Sequence, residues 1–358
     1  MPSVGECDVA SLRAGLDFRL RPYRREVFLR FYRFHLAHRT HPGCVYFVLP
    51  WLAHFYGWDA EQYAWFCFLN GQTQNPVTSL RIYLVAPGIR WAETAVRYVE
   101  TYYPKLQWDT DRRYQKGQFR VAVEGYVQAV AHARGIQTAY WQQAQCWGDA
   151  WRLATQLPTL GRLSAWSYIE YLWIAGLVRY DADDLMLTDM AGSKSHRNGL
   201  CIVAGLDEYD WHASNPSFQG QYPDGVIQDM QQLADSLLDE AQARWPTLVP
   251  ARLSLESALC TYKSWHRPRR RYPNVYADMF YERLRWAEQR HGGQDTVTTL
   301  LWQARADQLP LALRLEDNPY DPGLCPAKQD WYRTTGEVIM VDVDDPTFAN
   351  GFSRAVAA

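Results

Sequence analysis

The stretch Trp65–Leu80, WFCFLNGQTQNPVTSL, is the one around which the rest of the chain is organised. An aromatic and apolar run, Trp65-Phe66-Cys67-Phe68-Leu69, stops at Asn70-Gly71. Polar or turn-forming residues follow from Gln72 to Pro76, and a second apolar segment opens at Val77. A solvated turn between two helices would be served by any mixture of Ser, Lys, Glu and Gly. Here no residue is charged, and Asn70, Gln72, Gln74 and Asn75 each carry donors and acceptors together. Amides of this kind can read a base edge or hold a ligand without adding charge.

The length, 358 residues, allows a large core and room for two lobes. Apolar residues make up 47% and aromatics 15%, which predicts a globular chain with disorder confined to its ends. The formal net charge of -2 argues against a protein that coats DNA through a global positive field. It leaves open an enzyme with a local basic groove. The 7 cysteines form no CxxC pair, which fits a reducing compartment and offers no metal or iron–sulfur signature. No apolar run is long enough to cross a membrane and no signal peptide is evident, so a soluble, cytoplasmic protein is expected.

Hydrophobic periodicity predicts a mainly α, multi-helical fold, with at most a short C-terminal strand at Glu337–Val343. From Arg24, residues Val27, Phe28, Phe31, Phe34 and His35 recur at helical spacing, with arginines on the other face. Val45–Tyr56 is apolar with Pro50 inside it, and Asp59 can cap the helix that leads to the amide stretch. Further helices are expected at Val77–Val85, Trp91–Tyr103, Phe119–Arg134, Gln137–Leu157, Val226–Trp245, Leu253–Trp265, Tyr276–Arg290 and Thr296–Leu309. We divide the chain into a helical catalytic domain, 1–310, and a Pro- and acid-rich extension, 311–358.

Four other stretches carry chemistry. Leu157–Ala165, LPTLGRLSA, resembles a helix–hairpin–helix, whose usual pattern is LPGxGxxTA; Thr159 stands at the first glycine. Such a turn exposes backbone N–H groups to a DNA phosphate, here around Gly161 and Arg162. Leu187–Leu200 holds Asp189, Ser193, Lys194, Ser195, His196, Arg197 and Asn198, dense for a plain surface loop. Its cations can neutralise phosphate and its histidine can shuttle a proton. It is not a Walker loop, because the GxxxxGK[ST] spacing is absent. Asp207, Glu208, Asp210 and His212 could meet a divalent metal or an ammonium group, or could cap turns. Lys263–Arg271 places 5 cations, among them Lys263, Arg269, Arg270 and Arg271, beside Trp265 and Tyr272, the best phosphate-binding feature in the chain.

Together these motifs resemble the phage amino acid:DNA transferases, also called alpha-glutamyl/putrescinyl thymine pyrophosphorylases. The resemblance rests on FLNGQTQNPVTS at Phe68–Ser79, GSKSHRNGL at Gly192–Leu200, and the Leu255–Met279 region, and covers most of residues 25 to 290. It implies a helical fold distantly like the helix–hairpin–helix DNA glycosylases, and work on viral double-stranded DNA inside an infected cell. The implied reaction displaces pyrophosphate from the 5-methylene of a pyrophosphorylated 5-hydroxymethyluracil with the amine or hydroxyl of a free amino acid or amine. Pyrophosphate leaves with high negative charge and needs cations: Lys194, Arg197, Lys263, Arg269, Arg270 and Arg271 are candidates, and a Mg²⁺ could assist. The nucleophile needs a base, His196 first and Asp189 second. Asn70, Gln72, Gln74 and Asn75 would read the pyrimidine edge. Ser193, Ser195, Asn198, Asp207 and Asp210 would line the substrate site.

A helix–hairpin–helix DNA glycosylase is the main alternative, with Asp181, Asp183 or Asp184 at a plausible distance from the hairpin. Leu163 stands where lyase-type members carry lysine, so β-elimination is not expected. A non-enzymatic DNA-binding protein using only the 263–271 basic segment is the second.

Overall fold

The computed structural model describes residues 21–40, 44–190, 192–209, 221–262, 275–292 and 295–309. Among them all regular structure is helical. The chain runs through α1 (Arg21–His38), α2 (Val45–Tyr56), α3 (Ala60–Thr73), α4 (Pro76–Val85), α5 (Ala92–Tyr102), α6 (Phe119–Ala131) and α7 (Gln137–Trp141). It continues through α8 (Trp147–Thr155), α9 (Arg162–Ile174), α10 (Lys194–Ala204), α11 (Val226–Arg244), α12 (Arg252–Tyr262), α13 (Val275–His291) and α14 (Thr296–Gln308). The fold is mainly α, as the periodicity predicts. The expected strand at 337–343 and the basic segment 263–271 lie outside the described residues.

The residues divide into two compact units. One is made of Gly43–Asp183 with Glu282–Asp307, the other of Asp184–Tyr281 with the flanking segments that include α1.

In the Gly43–Asp183 unit, α3 is the central helix, packed by α4, α7 and α9. Its start is fixed locally: the Asp59 carboxylate accepts from Gln62 N and the Gln62 side chain returns to Asp59 N, a capping box. Its middle is fixed by packing. Gly71 lies inside the helix because a Cβ there would come within 3.0 Å of the Tyr168 ring on α9. Asn70-Gly71 therefore does not end α3, which runs on to Thr73. Phe68 stacks on Tyr126 of α6 with ring centroids 4.1 Å apart. Pro50 is accommodated inside α2. The helix expected over Gln137–Leu157 is two helices, α7 and α8, parted at 142–146. Glu61 accounts for the start of α7: its carboxylate accepts from Gln137 N at 2.9 Å and Thr138 N at 2.7 Å.

In the other unit α10 packs most closely on α12. A Cβ at Gly199 would fall 2.3 Å from the Leu259 carbonyl oxygen, so only glycine permits the crossing. α1 lies against α10, α11 and α12 and buries Val27, Phe28, Phe31, Phe34 and His35, the stripe read from the sequence. Its arginines meet protein groups: Arg25 pairs with Glu240 at 2.8 Å and Arg24 donates to Ile202 O at 3.3 Å.

Candidate active site

The amide stretch is neither a loop nor solvated. Every residue from Asn70 to Ser79 is buried, and Gln74 and Asn75 alone separate α3 from α4. Gln74 turns the chain with φ 48°, and Asn75 caps α4 by accepting from Val77 N and Thr78 N at 3.0 and 3.2 Å. Thr73 and Ser79 share a hydroxyl hydrogen bond of 2.6 Å, and Ser79 Oγ donates to Asn70 Oδ1 at 3.2 Å. These bonds use only part of the amides' capacity. Among the described residues, Asn70 Nδ2, Gln72 Nε2 and Gln74 Oε1 are buried with no hydrogen-bond partner, as is Gln107 Oε1 nearby. Buried polar atoms left unmatched cost about 1–3 kcal/mol each, which makes the corner a candidate for a ligand.

The 106–118 segment, charge-rich and irregular in sequence, is laid against this corner. Thr78 Oγ1 donates to Gln107 O at 2.7 Å, and Asp109 N donates to Thr73 O at 2.9 Å. Two residues with no place in the sequence-based site then enter it. Arg112 is fully buried in the 3-10 turn Thr110–Tyr114. Its Nε donates to Gln72 O at 3.1 Å, Nη1 to Thr159 O at 2.5 Å, and Nη2 to Thr159 Oγ1 at 3.0 Å and to Gln72 Oε1. Burial pulls Arg112 down to about 10, leaving it cationic at neutral pH. Asp109 pairs with Arg283 of α13, and their side chains are only 13% and 8% exposed. Burial pushes the Asp109 carboxyl up, opposed by Arg283, by a hydrogen bond from Asn75 and by the charge of Arg113.

The expected hairpin forms between α8 and α9. Gly161 N donates to Ser164 Oγ at 3.0 Å as α9 begins, and Arg162 stacks its guanidinium 5.0 Å from the centroid of Trp166. Thr159, which replaces the motif's first glycine, has φ 71°, in the left-handed region where glycine is at home. Its hydroxyl donates to Gln72 Oε1 at 3.0 Å as well as accepting from Arg112. The departure from the motif thus ties the hairpin to the amide corner.

The second polar stretch lies in the other unit and is largely the first turns of α10. His196 is fully buried. Its Nε2 meets Leu185 O at 2.9 Å and its Nδ1 pairs with Glu256 of α12 at 3.0 Å. Arg197, equally buried, donates to Leu187 O, Asp189 O and Met190 O at 2.7 to 2.9 Å. Asp189 accepts from Gly192 N at 2.9 Å, and Ser193 Oγ donates to Met186 O at 2.7 Å. Asn198 is buried, while Lys194 and Ser195 are part-exposed. The density of functional groups here thus folds the 185–193 strap onto α10. Asp207 opens a short 3-10 turn; Asp210 and Lys263, Arg269, Arg270 and Arg271 lie outside the described residues. Among the described residues no cluster of His, Cys, Asp or Glu could hold a metal ion, and no helix is long and apolar enough to cross a membrane.

The signal missed in the sequence was Asp109-Thr-Asp-Arg-Arg113, a charge run that reads as solvent-facing until its distant partners are known. The family profile for amino acid:DNA transferases matches residues 29–272. The chain is 26% identical over 290 residues to a serinyltransferase of Salmonella phage ViI, covering 76% of this chain and 69% of that one. No solved structure matches. The match over most of its length shows that the chain belongs to the amino acid:DNA transferase family.

Proposed function

We propose that this amino acid:DNA transferase couples an amino acid or amine to the 5-methylene of a pyrophosphorylated 5-hydroxymethyluracil in phage DNA, releasing pyrophosphate. The observation that carries the reading is the buried amide corner with unmatched donors at Asn70 and Gln72 and an unmatched acceptor at Gln74. A pyrimidine edge offers carbonyl acceptors and an N3–H donor, the complement of that set. Enclosing the pyrimidine favours a base drawn out of the stack. The similarity to a phage serinyltransferase makes serine the first amino acid to test.

Displacing pyrophosphate needs cations and a proton acceptor. We assign phosphate compensation to Lys194, part-exposed at the start of α10, with Lys263, Arg269, Arg270 and Arg271, and DNA-backbone contact to the Gly161–Arg162 turn. His196 and Arg197 we assign to holding the strap that carries Asp189, since the His196 ring and the Arg197 Nη groups are engaged by Leu185, Leu187, Asp189, Met190 and Glu256. Ser193, Ser195, Asn198, Asp207 and Asp210 remain candidates for the amino-acid side of the reaction, and Mg²⁺ for the pyrophosphate side.

The test is mass spectrometry of nucleosides after mixing the protein, DNA bearing pyrophosphorylated hydroxymethyluracil, and each amino acid in turn. A net mass change equal to the amino acid added less the pyrophosphoric acid released, with one donor preferred, is expected. No shift with any donor would overturn the proposal, and an abasic site would instead mark base excision.

A further inference from the structure

We infer that Asp109 is the general base of this transferase, taking the proton from the attacking amine or hydroxyl beside the amide corner. The inference rests on the reading of that corner as the pyrimidine site and goes on to assign its proton chemistry.

Asp109 is part of the corner's scaffold. Its N–H donates to Thr73 O at 2.9 Å, and its carboxylate receives the Asn75 amide while Asn75 Oδ1 caps α4. The described side chains bonded into this corner are amides, hydroxyls, two arginines and Asp109. Neutral amides and hydroxyls do not accept a proton near neutral pH, and arginine has none to gain. Asp109 is the acid of the set. Its side chain is 13% exposed, and Asn70 and Gln72 are 0% and 1% exposed.

The charges around Asp109 suit a base. Burial raises its proton affinity, and Arg283 from α13, Asn75 from the start of α4 and Arg113 from its own turn lower it. The net effect is upward, so the carboxylate is a better proton acceptor than a solvated one. Thr73 at the end of α3 contributes only a carbonyl, and Tyr171 of α9 senses the same Arg283. In the reaction the nucleophile's N or O forms a bond to the 5-methylene carbon as the carbon–oxygen bond to pyrophosphate breaks. Pyrophosphate departs with that electron pair, and the nucleophile's proton passes to the Asp109 carboxylate.

The experiment is single-turnover transfer on pyrophosphorylated hydroxymethyluracil DNA from pH 5 to 9, with wild type, Asp109→Asn and Arg113→Gln. Asp109→Asn is expected to lose roughly a hundredfold or more in turnover, with DNA affinity within about threefold. Arg113→Gln removes an exposed cation that favours the ionised carboxylate, so the acid limb of the profile shifts to higher pH. Ionisation of a donor amine sets a separate limb that this variant leaves in place. A purely structural Asp109–Arg283 tie predicts lost melting temperature and an unmoved limb. Near-wild-type turnover in Asp109→Asn, or an unmoved acid limb in Arg113→Gln, overturns the inference. The second variant decides the matter where the first does not fold. Absence of transfer by wild type with every donor would mean that the parent reading has failed instead.

Discussion

Replacing Arg112 with methionine keeps an unbranched apolar stem and removes the guanidinium donors. The guanidinium makes four close bonds, to Gln72 O, Gln72 Oε1, Thr159 O and Thr159 Oγ1, all within the core. Bonds from a charged donor are worth about 1.5–3 kcal/mol each. The cost of burying a guanidinium without a carboxylate partner offsets a large part of that sum. What remains after substitution is a set of buried carbonyl oxygens with no donor. Together these effects place the loss at roughly 3–5 kcal/mol, the range for breaking a buried charged network. At about 2–4 °C per kcal/mol for units of this size, the melting temperature falls by roughly 6–20 °C.

The assay is thermal unfolding of the DNA-free protein, followed by a double-mutant cycle with Thr159→Val. Because Arg112 Nη2 meets Thr159 Oγ1 at 3.0 Å, the cycle carries a coupling of about 1 kcal/mol or more. Arg112→Lys restores less than half of the loss, since one ammonium cannot reach Gln72 and Thr159 together. A melting temperature for Arg112→Met within about 2 °C of wild type would refute the reasoning, as would strict additivity with Thr159→Val.

Three further outcomes follow from the same geometry. Thr159→Gly relieves a left-handed residue but loses two hydroxyl bonds, so it destabilises wild type by about 1 kcal/mol; in Arg112→Met, where one of those bonds is already gone, it becomes neutral or stabilising, as urea midpoints would read. Gly199→Ala drives a Cβ to 2.3 Å from Leu259 O, backbone on both sides, and costs roughly 2–4 kcal/mol by urea unfolding at 25 °C. Burial lowers His38 from 6.5 to about 4, so the unfolded chain gains a proton from pH 6.5 downward while the folded one does not; stability drops by up to ~3 kcal/mol between pH 6.5 and 4, and His38→Gln flattens that slope in urea titrations at the two pH values.

Much of the helical framework is legible in the sequence because its determinants are local. Asp59 and Gln62 announce the start of α3, and the apolar stripe from Val27 to Phe34 announces the buried face of α1. Where the reading departs from the structure, the determinant is a partner far away in sequence. Asn70-Gly71 looks like a helix end, yet Gly71 is there to admit Tyr168, and no local propensity reports that. Nothing in Gln142–Cys146 marks a break by glycine or proline; the start of α7 is set by the Glu61 carboxylate. Density of reactive residue types drew attention to His196 and Arg197, and the same density serves a buried strap that needs many carbonyls satisfied.

The two polar regions differ in charge content, and that difference bears on how each can be completed. A buried cation can be held by oxygens of its own fold, as Arg112 is by Gln72 and Thr159 and the Arg197 Nη groups are by Leu187, Asp189 and Met190, so a charged motif can be held in place without a ligand. An amide presents a donor and an acceptor together, and each must be met, as Asn75 is by the first N–H groups of α4 and by Asp109. Helix capping uses Asn75 Oδ1, and Arg112 uses Gln72 Oε1, but each leaves that side chain's NH₂ group facing elsewhere. At Asn75 the NH₂ goes to Asp109, whereas at Gln72 the described residues offer nothing. The corner therefore holds one amide that delivers a donor to the acid and others whose donors await one. That asymmetry is the ground on which we propose the corner as a recognition site, with the acid beside Asn75, absent from any motif, as its proton acceptor.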